Sequence, residues 1–100
     1  MGDHHSYIAI KEKLQKQYPL LKKRYQISFL GIFGSYVREE QLPGSDLDLL
    51  VSFDDTPGLL KFIEMENYIS DFLGVKVDLV MREALKPGIG ERILKEVSII

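Results

Sequence analysis

The stretch Ser45-Asp46-Leu47-Asp48-Leu49-Leu50-Val51 decides how the rest of the chain is read. Successive side chains of a strand point to opposite faces, so Leu47, Leu49 and Val51 take one face and Asp46 and Asp48 the other. The apolar face can pack on helices. The other face is left with two carboxylates about 6.6 Å apart along the strand. Hard cations such as Mg²⁺ prefer oxygen ligands, and a two-metal site holds its ions about 3.5–4 Å apart, so two such carboxylates can share both ions. Taken alone, an Asp-x-Asp beside a turn also has a plain hydrogen-bonding reading.

Outward from this stretch, the chain reads as alternating helices and strands. Ser6 to Tyr25 has apolar Ile8, Leu14, Leu20 and Leu21 among lysines and glutamines, which predicts a helix that Pro19 should kink or split. Ile27 to Phe33 is an apolar and aromatic run, read as a buried strand ending at Gly34. Leu42-Pro43-Gly44 is a turn, and Asp48 to Phe53 the second strand. Leu59 to Leu73 carries Phe62, Ile63, Met65, Ile69, Phe72 and Leu73 at helical spacing. Thr56 is placed to cap this helix with Pro57 in its first turn, and Gly74 to end it. Val75 to Met81 is a third strand, Lys86-Pro87-Gly88 breaks the chain, and Gly90 to about Val97 is a last short helix. This order implies an α+β fold, a small mixed sheet with helices packed on one face, in a single domain spanning residues 1–100.

Two further features bear on chemistry. Asp78 is a lone carboxylate in an otherwise apolar strand, and a buried unpaired carboxylate is costly unless it finds a partner. If the second and third strands are neighbours, Asp78 joins Asp46 and Asp48, and a shared metal offsets their repulsion. Phe33-Gly34-Ser35-Tyr36-Val37-Arg38 is a strand end running into a helical turn. Such a turn exposes backbone N–H groups to a phosphate, glycine permits the close approach, and the Ser35 hydroxyl can add a hydrogen bond. Each feature by itself has a bland reading; the combination is what points to phosphate chemistry.

Composition narrows the field. The 100 residues, 45% hydrophobic and 28% charged, suit one soluble globular domain, and no apolar run approaches the roughly 18 residues needed to span a bilayer. The first residues lack the apolar core of a signal peptide, so the expected location is the cytoplasm. With no cysteine there are no disulfides, thiolate metal sites or cysteine nucleophiles. A net charge of −2 argues against direct nucleic-acid binding. Lys11, Lys13, Lys16, Lys22, Lys23 and Arg24 crowd the first quarter, read either as a solvated helix face or as a patch for an acidic partner. His4 and His5 precede every element and have no third ligand nearby, so they read as a tail rather than a metal site.

Gly34-Ser35, followed ten residues later by Ser45-Asp46-Leu47-Asp48-Leu49 and then by Val77-Asp78-Leu79, resembles the signature of the DNA polymerase β-type nucleotidyltransferase superfamily. In so short a chain the likeness is to the minimal nucleotidyltransferases. The resemblance implies that Gly34 and Ser35, with Ser45 beside the aspartates, hold a nucleoside triphosphate, expected to be ATP. It also implies that Asp46, Asp48 and Asp78 coordinate two Mg²⁺ ions, and that Asp78 can accept a proton from the attacking hydroxyl. Arg38 matches an arginine often found soon after the Gly-Ser pair, where it touches phosphate or a partner. One departure is visible: Val37-Arg38-Glu39 stands where Ala-Arg-Gly is expected, and Glu39 is mildly unfavourable near phosphates.

The implied activity is in-line attack of a hydroxyl on the α-phosphorus, with pyrophosphate leaving. The resemblance further implies a helical partner of the HEPN ribonuclease-toxin type, for which this chain is the antitoxin, adenylylating a tyrosine of that partner. Two alternatives stay open on the sequence. The chain could bind nucleotide but neutralise its partner by contact alone, or it could keep the fold with no function at the site. Whether it forms a homo-oligomer is open too.

Overall fold

The structure, a computed structural model, describes residues 6–100; His4 and His5 lie outside the described residues. In chain order the elements are α1 (Tyr7–Tyr25), β1 (Ile27–Phe33), a 3₁₀ turn (Gly34–Tyr36), β2 (Leu47–Phe53), α2 (Leu59–Leu73) and β3 (Val77–Met81), then a second 3₁₀ turn (Arg82–Ala84), α3 (Ile89–Glu96) and β4 (Ser98–Ile99). The four strands form one sheet in the order β3-β2-β1-β4. β1 runs antiparallel to β2 and to β4, and β2 runs parallel to β3 through the α2 crossover. The sheet is therefore mixed, as the alternation of elements implied.

Registry puts the apolar alternates together. Ile32 faces Leu49, Leu30 faces Val51, and Leu47 and Leu49 face Val77 and Leu79. All are buried, in one cluster with Ile10, Leu14 and Leu21 of α1 and Met65, Ile69 and Leu73 of α2. Burying each such side chain is worth about 1.5–3 kcal/mol, which is what fixes α1 and α2 on this face.

Several local expectations are corrected. α1 is capped by the Ser6 hydroxyl, which accepts from the Ala9 N–H at 3.1 Å, and it runs unsplit through Pro19. The proline removes one rung of the ladder, but buried Leu14 and Leu21 on either side hold the helix to the sheet. Ile8 and Leu20, expected in the apolar stripe, are 68% and 51% exposed. At 100° per residue Ile8 lies on nearly the opposite side of the helix from Ile10, so apolarity alone misplaced it. Thr56 does not cap α2; the N-cap is Gly58, without a side-chain bond, because the chain stays non-helical as far as Gly58. Gly74 closes that helix in the left-handed conformation, φ 72°, as expected. Ile63 is exposed rather than core, and β3 begins at Val77 rather than Val75.

The fourth strand, β4, has no counterpart in the sequence reading. Its two residues pair with Gly31 and Ile32, and Ser98 is tied to α1 by the Tyr7 hydroxyl and by Lys11 Nζ, which donates at 2.8 Å. At the opposite edge, β3 would expose unpaired amides. There the Val77 N–H donates to Ser70 Oγ at 3.0 Å and the Leu79 N–H to Glu66 Oε2 at 2.8 Å, both acceptors on α2. Among the described residues no helix is long and apolar enough to cross a membrane.

Candidate active site

With Leu47, Leu49 and Val51 committed to the core, Asp48 is turned to the other face of the sheet. Its partner across the parallel ladder is Asp78, so the two share that face and stand side by side on adjacent strands. Asp46 lies one residue before β2, outside the ladder. It is half-buried and close enough to act on both Asp48 and Tyr36, whose phenol burial and then Asp46 hold above its usual range. The Asp48 carboxyl is pushed up to about 6, first by burial and then by the neighbouring charges of Asp78 and Asp46, with Arg38 opposing. Desolvation and like charge both disfavour its ionised form. The three aspartates expected from the sequence are thus brought into one electrostatic cluster.

Gly34 ends β1 against this cluster. Its φ of 82° is left-handed backbone, and a side chain built there would run into the Asp48 carboxylate. Only glycine lets the strand end come so close. The Gly34 carbonyl accepts from the Val37 and Arg38 amides at 3.1 and 3.3 Å, closing the turn. Ser35 follows in the same turn, half-buried. Glu39, standing where glycine was expected, has a left-handed φ of 56°.

Two placements were not visible in the sequence. Arg38 does not stand free for phosphate: its Nε donates to Glu40 at 2.9 Å and its Nη1 to both oxygens of Glu96 at 3.0 and 3.1 Å. Ser45 lies two residues before β2. Its hydroxyl accepts from the Leu42 N–H at 2.9 Å, which fixes the turn leading into β2. Glu96 is the residue that sequence reasoning missed. From the last turn of α3 it accepts the Gly34 N–H at 2.9 Å, although the two are 62 positions apart. Nothing local to Glu96 marks it; only the position of α3 across the sheet does.

A cavity of about 400 Å³ lies here, with Gly34, Arg38 and Asp48 on one side and Ile89, Arg92 and Glu96 of α3 on the other. So α1 and α2 cover the core face, and α3 walls the cavity that holds Asp48. A larger cavity, about 720 Å³, is lined by Ser6, Tyr36, Leu42, Ser45, Gly74 and Lys76. It touches none of the three aspartates, so the smaller cavity is the candidate site.

The donor set suits a hard divalent cation in kind: oxygen ligands, with a half-buried carboxylate whose ionised form the surroundings disfavour. As positioned, the side chains do not form a ready cage. Among the described residues no three His, Cys, Asp or Glu side chains are arranged to hold a metal ion by themselves. Mg²⁺ does not require one, since it binds through one or two carboxylates and completes its shell with water and substrate phosphates.

A mixed sheet carrying paired aspartates beside a Gly-Ser turn is the arrangement of a nucleotidyltransferase. The nucleotidyltransferase domain family matches residues 9–100, and the chain belongs to that family. It is similar to the protein adenylyltransferase MntA of Thermococcus cleftensis, 51% identical over 77 residues that cover 77% of this chain and 78% of that one. An inferred protein adenylyltransferase of Methanocaldococcus jannaschii is 52% identical over 77 residues, covering 77% and 79%. Among solved structures, an inferred minimal nucleotidyltransferase superposes with a TM-score of 0.83 at 30% identity, covering 98% of this chain and 99% of that one. A Shewanella oneidensis structure, a tri-AMPylated HEPN toxin in complex with MNT antitoxin, shares the fold at a TM-score of 0.67 and 20% identity, covering 90% and 70%. The chain is therefore a minimal nucleotidyltransferase, and an enzyme of that class.

Proposed function

We propose that this chain transfers AMP from ATP to a hydroxyl of a helical HEPN-type partner protein and so acts as its antitoxin. The observation that carries the reading is the Asp48–Asp78 pair, side by side on adjacent strands with Gly34 against the Asp48 carboxylate. A carboxylate cluster of this kind costs stability and has a use only if cations meet it. The relatives support the acceptor class: one is named a protein adenylyltransferase, and the AMPylated toxin complex has the same fold.

In this reading Asp46, Asp48 and Asp78 would hold two Mg²⁺ ions, which would supply charge neutralisation to the triphosphate and the reacting oxygens. The Gly34 N–H and the Ser35 hydroxyl hold the triphosphate tail, aided by Arg38. Asp78, the most exposed of the three aspartates, takes the proton of the incoming hydroxyl. That oxygen bonds to the α-phosphorus as the bond from phosphorus to the bridging oxygen breaks, and pyrophosphate departs. Little covalent work falls to the protein; positioning and charge neutralisation dominate.

The test is incubation with ATP labelled at the α-phosphate, Mg²⁺ and a helical HEPN-type protein that binds this chain. Label should appear on the partner, and Asp46→Asn and Asp48→Asn should abolish it while both variants still bind the partner. Full neutralisation of the partner by the double variant would leave binding alone as the physiological mechanism.

A further inference from the structure

The Glu96 carboxylate sits where an anion belongs. A strand-end glycine offers few donors to a phosphate, and the foremost, the Gly34 N–H, is taken by Glu96 Oε2 at 2.9 Å. A cation of the same cavity, Arg38, directs its Nη1 at both Glu96 oxygens at 3.0 and 3.1 Å. Backbone N–H plus guanidinium is the donor set that proteins use for phosphate oxygens. Here one side chain of the same molecule satisfies both.

Electrostatics makes this an odd place for a merely structural carboxylate. Glu96 lines the same cavity as the Asp48 carboxylate, so two like charges share it. A glutamate that only braced α3 would gain more by pairing away from the aspartates. Its carrier is short: α3 has eight residues, is preceded by Gly88 as an N-cap without a side-chain hydrogen bond, and leaves Ile89 and Leu94 exposed. An extended Val97 follows it, so Glu96 is the last helical residue before the chain turns into β4.

We infer that Glu96 is an internal stand-in for a phosphate group, a plug that the triphosphate must displace from Gly34 and Arg38 before the site is competent. The inference rests on the nucleotide reading above and adds a level of control to it. In the plugged state the chain holds its anion site closed and keeps Arg38 neutralised. Arrival of the triphosphate exchanges one set of charge-assisted hydrogen bonds for another, and α3 is released from the mouth of the cavity. Any partner that draws α3 outward would open the site in the same way.

The plug makes a directional claim that a structural brace does not. Binding of a non-hydrolysable ATP analogue with Mg²⁺ to the full chain is measured by calorimetry for the parent, Glu96→Ala and Glu96→Gln. Loss of a competing carboxylate should tighten binding roughly tenfold in Glu96→Ala, about 1.4 kcal/mol. Glu96→Gln keeps an oxygen for the Gly34 N–H and removes only the charge, so its gain should be smaller; it also serves should Glu96→Ala fold poorly. Equal or weaker binding by the variants, with the parent binding, would overturn the plug and leave the nucleotide site standing. Failure of all three proteins to bind would overturn the site reading and the plug with it.

Discussion

Asp48→Asn removes the charge that the fold tolerates least, and its effect can be worked out from the surroundings of that carboxyl. Asp48 is raised from 3.8 to about 6 by burial and by Asp78 and Asp46. A difference of roughly two pH units at 1.36 kcal/mol each gives at most about 3 kcal/mol. Asp48 is half-buried, and solvent screening brings this to about 1–2 kcal/mol. The sign follows from proton binding. With the folded value above the unfolded one, the native state holds the proton more tightly, so stability falls as pH rises from about 4 through about 6 and then levels off. An amide at the same place carries no such penalty. In thermal melts without Mg²⁺ at pH 7.5, Asp48→Asn should therefore melt above the parent, by about 4–8 °C per kcal/mol for a domain of this size. The gap should close near pH 4, and nucleotidyl transfer should be lost throughout. Addition of Mg²⁺ with ATP should raise the parent and leave the variant unmoved, since ligand linkage needs the charge. A variant that melts with the parent or below it at pH 7.5 would refute the claim that Asp48 is held ionised against its surroundings.

Three further outcomes are expected. Gly34→Ala must adopt a left-handed backbone, at about 1–2 kcal/mol, and push against Asp48, so chemical denaturation should show at least that loss and calorimetry a weaker hold on the ATP analogue. Glu39→Gly relieves the left-handed φ of 56°; after the extra freedom glycine gives the unfolded chain, a net gain of about 0.5 kcal/mol should appear as a raised melting temperature. Tyr25→Phe deletes the hydroxyl that donates to Glu64 at 2.9 Å and should cost about 1 kcal/mol in urea unfolding; in the parent that phenol should titrate near 12 in an ultraviolet pH scan.

How much of the fold and site is legible in the sequence depends on the range of the interaction. The alternation in β2 is local, so both the core face and the aspartate pair can be read from seven residues. That β2 and β3 are neighbours had to be assumed, and Asp78 joins the cluster only because the α2 crossover delivers it at the right height. Gly34 can be read only together with the aspartates, because Gly-Ser at a strand end is by itself an ordinary turn. Glu96 cannot. It acts through the placement of α3 against Gly34, and one glutamate in an amphipathic helix looks like the next. Arg38 stands out for its position in a motif, but its partners lie outside that motif and take up its charge. Ile8 and Leu20 show the converse error: apolar residues are assigned to the core before the helix face is known. Two-residue β4 is too short to leave any period.

The sealed edge of β3 works as a ruler. Glu66 and Ser70 are four residues apart on α2, an advance of about 6 Å along the helix, while Leu79 and Val77 are separated by about 6.6 Å along the strand. The two spacings match, so both acceptors meet an N–H in a single alignment. Slipping the register of the strand by one residue would turn Asp78 from the carboxylate face into the core. The helix thereby proofreads the height at which the third carboxylate stands beside Asp48. Glu66 and Ser70 have no part in holding nucleotide or metal, yet substitutions there should produce a protein that folds and melts respectably and transfers poorly. A survey of natural variation would then find them held as firmly as the aspartates, for reasons of alignment rather than chemistry.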